Sequence, residues 1–157
     1  MSMLSSCSVI AASLILVGYL VAYVVRYGLA VSISDTYYTV RRKWLFSTVL
    51  ALVALLLFVP WVMSGVHGWC AFLSCFAVML VAASPQFRES YVGKIHYGAA
   101  LVMGLCALVW LQFNHRALYP LALSVLFAIV DRRHWAWWLE LGIFVNVVIA
   151  ILQLCPS

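Results

Sequence analysis

Charge is what this sequence has least of. Its 157 residues include nine Lys and Arg and four Asp and Glu, so 8% are charged while 68% are hydrophobic; an ordinary soluble domain has about 25% charged residues. There is too little polar surface to coat a compact globule, which excludes a water-soluble fold and leaves lipid as the natural solvent. Acidic residues are scarcer than basic ones, giving a formal charge of +5. The basic residues fall in separate loops and build no continuous face, so nucleic acid is not an expected partner. Metal-ligand spacings are missing as well: there is no CxxC, HxxxH or HExxH. The five cysteines are Cys7, Cys70, Cys75, Cys106 and Cys155; on a helix Cys70 and Cys75 would point about 140° apart. They are read as small apolar fillers, and no metal or other cofactor is expected. Neither a basic start nor an apolar stretch precedes Leu4-Ser5-Ser6-Cys7, so the apolar run after it is read as a retained helix and not as a cleaved signal.

What the sequence has in abundance is apolar runs. A helix crossing a bilayer needs about 20 such residues, with a range of roughly 17 to 25. Six runs approach this, at about 8–29, 44–63, 68–83, 93–113, 117–130 and 135–154, separated by polar breaks such as Ser64-Gly65 and Ser84-Pro85. The expected fold is all-α, a polytopic transmembrane helix bundle of six spans in a single domain. At about 1.5 Å per residue the fifth run is too short to cross unless Asn114 to Arg116 join it, so five spans plus a re-entrant segment is the alternative. Trp135, Trp137 and Trp138 stand where an aromatic interface belt belongs. With six spans, one side of the membrane carries Arg26, Arg41, Arg42, Lys43, Arg88, Lys94, Arg132 and Arg133, and the other carries Arg116 alone. The positive-inside rule then puts the three basic loops in the cytoplasm and both termini outside.

The rarer polar side chains gather at that same basic end. Asp35 follows two hydroxyls in Ser32-Ile33-Ser34-Asp35 and precedes Tyr37 and Tyr38; it suits a turn or helix cap, or alternatively a ligand, ion or proton site. His96 opens the fourth run on a face shared with Ala99, Ala100, Met103 and Ala107, which suits a hydrogen-bonded interface histidine, or a proton carrier, base or ligand. Glu140 is the one acidic residue well inside an apolar run; an intramembrane carboxylate is costly unless neutral, paired or hydrated, and Arg26 is its candidate partner. Ser34, Asp35, Tyr38, His96, His134 and Glu140 form the expected ligand or ion pocket, and Arg41, Arg42, Lys43, Arg132 and Arg133 the expected lipid-headgroup contacts. Gly142, Asn146, Ala150 and Gln153 mark one face of the last helix as a packing stripe.

Two segments carry a family resemblance. Ser32-Ile33-Ser34-Asp35-Thr36 resembles the Ile-Ser-Asp/Gly-Thr segment after the first helix of the FRAG/DRAM/Sfk group of six-helix membrane proteins and related bacterial multi-pass families. Ile95-His96-Tyr97-Gly98-Ala99-Ala100 is similar to the group's His-Tyr/Asp-x-Gly-Ala motif opening the fourth helix. The group's proline-glutamate after the first motif is replaced by Tyr37 to Lys43, and its first loop is generally taken as lumenal, opposite to the charge bias here. Members of that group are associated with lipid-anchor remodelling and with endomembrane or lysosomal processes, so the resemblance implies a lipid-facing role for the polar pocket and supplies no catalytic residues; the expected location is a bacterial inner membrane.

Three functional readings follow. The first is a non-enzymatic protein that binds a lipid headgroup or small ligand at the cytoplasmic end, with membrane lipids, and a second copy or another membrane protein, as partners. The second is an ion or proton pathway through Glu140, His96 and Asp35. The third is an intramembrane lipid hydrolase or acyltransferase using Ser34, Asp35, His96 and His134.

Overall fold

The computed structural model describes residues 3–86 and 88–154. Cys155 and Ser157 lie outside the described residues. The helices are α1 (Met3–Tyr27), α2 (Thr36–Thr39), α3 (Trp44–Val62), α4 (Gly68–Ala83), α5 (Ser90–Phe113), α6 (Tyr119–Val130) and α7 (Trp135–Leu154), with a 3-10 turn at Arg132–His134. Among the described residues, four stretches are long and apolar enough to cross a membrane: Leu4–Tyr27, Trp44–Val62, Ser90–Phe113 and Arg132–Leu154. The apolar α4 and α6 are shorter, with 16 and 12 residues. At 1.5 Å per residue they are about 24 and 18 Å long, against a hydrocarbon core of roughly 30 Å. Helix α1 starts and ends earlier than the apolar run predicts, α5 starts three residues earlier at Ser90, and the one-turn α2 was not legible at all.

Helix α1 packs on α3, α3 on α4, α4 on α5, α5 on α7, and α7 back on α1, which closes a ring of five helices; α6 packs chiefly on α7. The ring buries Val9, Leu20, Leu57, Leu111 and Ile151, while Leu14, Leu55, Leu105 and Leu126 face outward, as a lipid-facing surface requires. Lipid tails are as apolar as leucine, so packing and hydrogen bonds, not the hydrophobic effect, hold such helices together. Pro60 lies within α3. Having no N–H, it leaves the carbonyl four residues earlier, at Leu56, without its helical donor. Ser8 of α1 fills that vacancy, donating its hydroxyl to the Leu56 carbonyl at 2.6 Å. Ser74 of α4 likewise donates to the Met103 carbonyl of α5 at 3.2 Å.

The end away from the basic loops is closed by Asn114. Its Oδ1 accepts the Val66 N–H at 2.8 Å, and its Nδ2 donates to the Val66 carbonyl at 3.2 Å and to the Trp110 carbonyl at 2.8 Å. Gly65 makes the fit possible, with φ of +64° and no Cβ where one would overlap Asn114 Oδ1.

The weakest span of the sequence reading has an explicit geometry. Asn146 of α7 accepts the Leu121 N–H at 3.2 Å and donates to the Ala117 carbonyl at 3.0 Å, so it satisfies backbone groups that the start of α6 leaves open. Closer to the basic end, a Cβ at Gly142 would overlap Ser124 of α6. At the two extremes Arg116 reaches Gln153 at 3.4 Å and Asp131 meets His134 at 2.8 Å. Residues 114–130 therefore run antiparallel along α7 from one end of the bundle to the other, irregular at 114–118 and helical from Tyr119. Gly142, Asn146 and Gln153 of the expected packing stripe all meet residues 114–130.

Candidate functional site

The segment between α1 and α2 folds back over the ring instead of looping free. Val31 accepts the Trp137 N–H at 3.2 Å, one of the donors that the first turn of α7 cannot satisfy internally. Two residues later the Ile33 N–H donates to Glu140 Oε2 at 2.6 Å. The intramembrane carboxylate thus takes a backbone donor, and Arg26, its expected partner, is elsewhere. Within the segment the Asp35 N–H donates to Ser32 Oγ at 3.1 Å, and Thr36 donates to the Ile33 carbonyl at 2.7 Å. Tyr19 of α1 shares a 2.6 Å hydrogen bond with Thr36 and ties the turn to the helix. This is the turn chemistry expected of a Ser-x-x-Asp segment.

Of the six expected pocket residues, two line one cavity. Ser34 and Glu140 stand in the wall of a space of about 110 Å³ between the five ring helices, whose other walls include Leu57 and Trp61 of α3, Cys75 of α4 and Met103 of α5. Asp35 is drawn away into an ion pair with Arg88 at 3.3 Å. Tyr38 accepts the Arg88 N–H at 2.8 Å, and the Arg88 guanidinium sits 4.1 Å from the centre of the Tyr38 ring. His96 is buried, with Nδ1 at 2.9 Å from the Ser84 carbonyl just past the last turn of α4, so it joins the end of α4 to α5. His134 belongs to a third cluster: its Nδ1 lies 2.8 Å from Asp131 Oδ2, which also accepts the Trp138 indole N–H at 3.2 Å. These donors, His134 foremost, hold the Asp131 carboxyl below the usual carboxylate range.

The basic residues divide too. Arg41 and Arg42 line an open groove of about 610 Å³ between α1 and the start of α3, together with Arg26, Tyr19, Tyr23 and Tyr27, over a floor that includes Ile15 and Val49. Arg26 lies 5.5 Å from the Tyr27 ring centre. None of the three arginines has a carboxylate partner among the described residues. Lys43 instead sits 5.4 Å from the ring of Tyr37, and Arg132 and Arg133 are exposed at the α6–α7 junction, outside the groove. The three tyrosines were missed in the sequence, although their four-residue spacing puts them on one helical face.

Cys70 and Cys75 are buried, Cys106 is half-buried and Cys7 is exposed. No group of three or more His, Cys, Asp or Glu side chains that could hold a metal ion occurs among the described residues. Comparison with protein-family profiles, with curated proteins and with solved structures finds no match to this chain.

Proposed function

We propose that the chain crosses a bacterial inner membrane six times, with residues 28–43, 84–89 and 131–134 in the cytoplasm, and that its groove between α1 and α3 binds the headgroup of an anionic phospholipid. The observation that carries the binding reading is the composition of the groove: three guanidiniums without carboxylate partners, above tyrosine walls and an apolar floor. A phosphate accepts from guanidinium forks, tyrosines suit the depth where headgroup meets hydrocarbon, and the floor accommodates an acyl chain. Each nearby basic residue attracts an anionic surface by about 1 kcal/mol. The six-crossing reading is supported by the run of residues 114–130 along α7 between opposite ends, with Asn146 satisfying the irregular backbone. Both termini are then outside.

Native mass spectrometry tests the ligand. The purified protein is expected to retain phosphatidylglycerol in preference to phosphatidylcholine, and charge reversal at Arg41 and Arg42 should abolish the preference; retention without headgroup preference refutes the reading. Orientation is tested by single cysteines in a cysteine-free background. Thr39→Cys should resist an impermeant thiol reagent in intact cells and Met63→Cys should react, and the reverse pattern would invert the topology.

The pathway and hydrolase readings have less support, because Asp35 is paired with Arg88 and the Nδ1 atoms of His96 and His134 are taken by Ser84 and Asp131.

A further inference from the structure

The cavity between the ring helices is chemically unlike the groove, and the lipid reading leaves it unused. Its lining follows α3 from Leu50 to Trp61, which at 1.5 Å per residue is about 16 Å of helix. Its lining thus runs along the bundle axis. Its lining side chains are apolar apart from Ser34 and Glu140 at the end nearest the basic loops and Trp61 at the other, whose buried indole N–H has no partner among the described residues. Ser34 is 8% exposed, and its hydroxyl makes no hydrogen bond to the described residues. Glu140 accepts the Ile33 N–H through Oε2 and has no other partner among the described residues, so its second oxygen is left without a donor. No basic side chain lines the cavity.

A carboxylate and a hydroxyl in an apolar channel want donors, and both are left open on the same wall. An anion is repelled by Glu140, and a plain alkane leaves both groups unsatisfied. An ammonium supplies three donors and a positive charge, and a linear alkyl tail matches an apolar lining that runs along the axis. We infer that the cavity is a binding site for a single-chain alkylammonium amphiphile, its head held by Glu140 and Ser34 and its tail directed along α3 toward Trp61.

The channel draws on α1, the 28–35 segment, α3, α4, α5 and α7. The arginine groove lies between α1 and the start of α3, and shares no lining residue with it. The two sites can therefore be tested apart.

Photolabelling of the full chain in phosphatidylcholine nanodiscs tests the proposal, with decylammonium carrying a diazirine at its far end as the probe. Label is expected on the peptide containing Leu57 and Trp61. Glu140→Gln keeps an acceptor for the Ile33 N–H but removes the charge, and should reduce that labelling at least tenfold. Ser34→Ala should reduce it several-fold, and Leu57→Trp, which fills the channel, should abolish it. Arg41→Glu with Arg42→Glu should leave it unchanged. Equal labelling by the carboxylate analogue would overturn the proposal, because it would mean that chain length and not the head selects the ligand. Labelling that survives both Glu140→Gln and Leu57→Trp, or that spreads evenly over the lipid-facing helices, would overturn it too. The Ser34 and Leu57 variants keep the test decisive if Glu140→Gln fails to fold.

Discussion

Two hollows in this bundle begin at the same end and are made of opposite materials. One lies between five helices, is apolar along its length and is marked by a single carboxylate and a hydroxyl. The other lies open between two helices and is marked by three arginines and three tyrosines. The difference follows from depth. A half-buried carboxylate among helices has few donors to turn to, so Glu140 draws on the Ile33 N–H and on whatever occupies the cavity. Guanidiniums on long stems at the rim can reach water, headgroups or an aromatic face, and need no fixed partner. Scarce charge is thus placed twice, once where it demands a donor and once where it offers many.

Breaking the wall common to the ring and α6 should have the largest effect. Gly142→Val drives a branched side chain into Ser124, and overpacking of this kind costs about 1–3 kcal/mol. We expect the upper part of that range in detergent unfolding, with loss of the inner cavity's ligand and retention of lipid in the outer groove. Ser124→Gly in the same chain should recover much of the stability, and no recovery would show that the two helices do not meet there.

Charge reversal at Arg41 and Arg42 should come next and act on the other hollow alone. At about 1 kcal/mol for each nearby basic residue, loss of the two charges alone is worth about 2 kcal/mol, so their reversal should weaken phosphatidylglycerol retention by at least about thirtyfold, with the unfolding transition little moved. A comparable loss on Glu140→Gln would mean that the two hollows are a single site.

The closed end serves as the control. Asn114→Leu removes three hydrogen bonds to the Val66 and Trp110 backbone. At roughly 0.6 kcal/mol each, the average for such bonds in a membrane, the loss is about 2 kcal/mol of unfolding stability. Ligand affinity at both hollows should stay the same, because neither Asn114 nor its partners Val66 and Trp110 line either of them.

The smallest effect should come from acid. Asp131 is held below its ordinary range by donors from His134 and Trp138, so folding is favoured while it is charged and loses that support as pH falls through the depressed value. The window opens at about pH 4, where the unfolded carboxylate is half protonated, and extends below it. Asp131→Asn should flatten the acid limb of the stability profile there and change nothing at neutral pH; an unchanged acid limb would show that the cluster does not contribute.

Much of this could be read in advance. The apolar runs at 44–63, 68–83 and 135–154 match α3, α4 and α7 within a residue, because hydrophobicity and the Ser64-Gly65 and Ser84-Pro85 breaks act locally. Proline is a weaker guide inside α3, where Ser8 supplies the bond that Pro60 removes and the helix continues to Val62. The expected pocket was legible only as a gathering at one end. Composition names Asp35, His96, His134 and Glu140 as candidates, but the partners of Asp35, His96 and Glu140 come from other segments, and only Ser34 and Glu140 are brought to one cavity wall.

What the sequence by itself determined is solvent and helix content, since each depends on which residues are neighbours along the chain. The tertiary structure alone decided that Glu140 meets the N–H of Ile33, 107 residues away, and not the guanidinium of Arg26. It likewise decided that Arg26 joins Arg41 and Arg42 in a groove and that Asn146 supports the irregular start of α6. A hydrogen bond needs its donor within about 3 Å and aligned, and the path of the backbone through the bundle sets both.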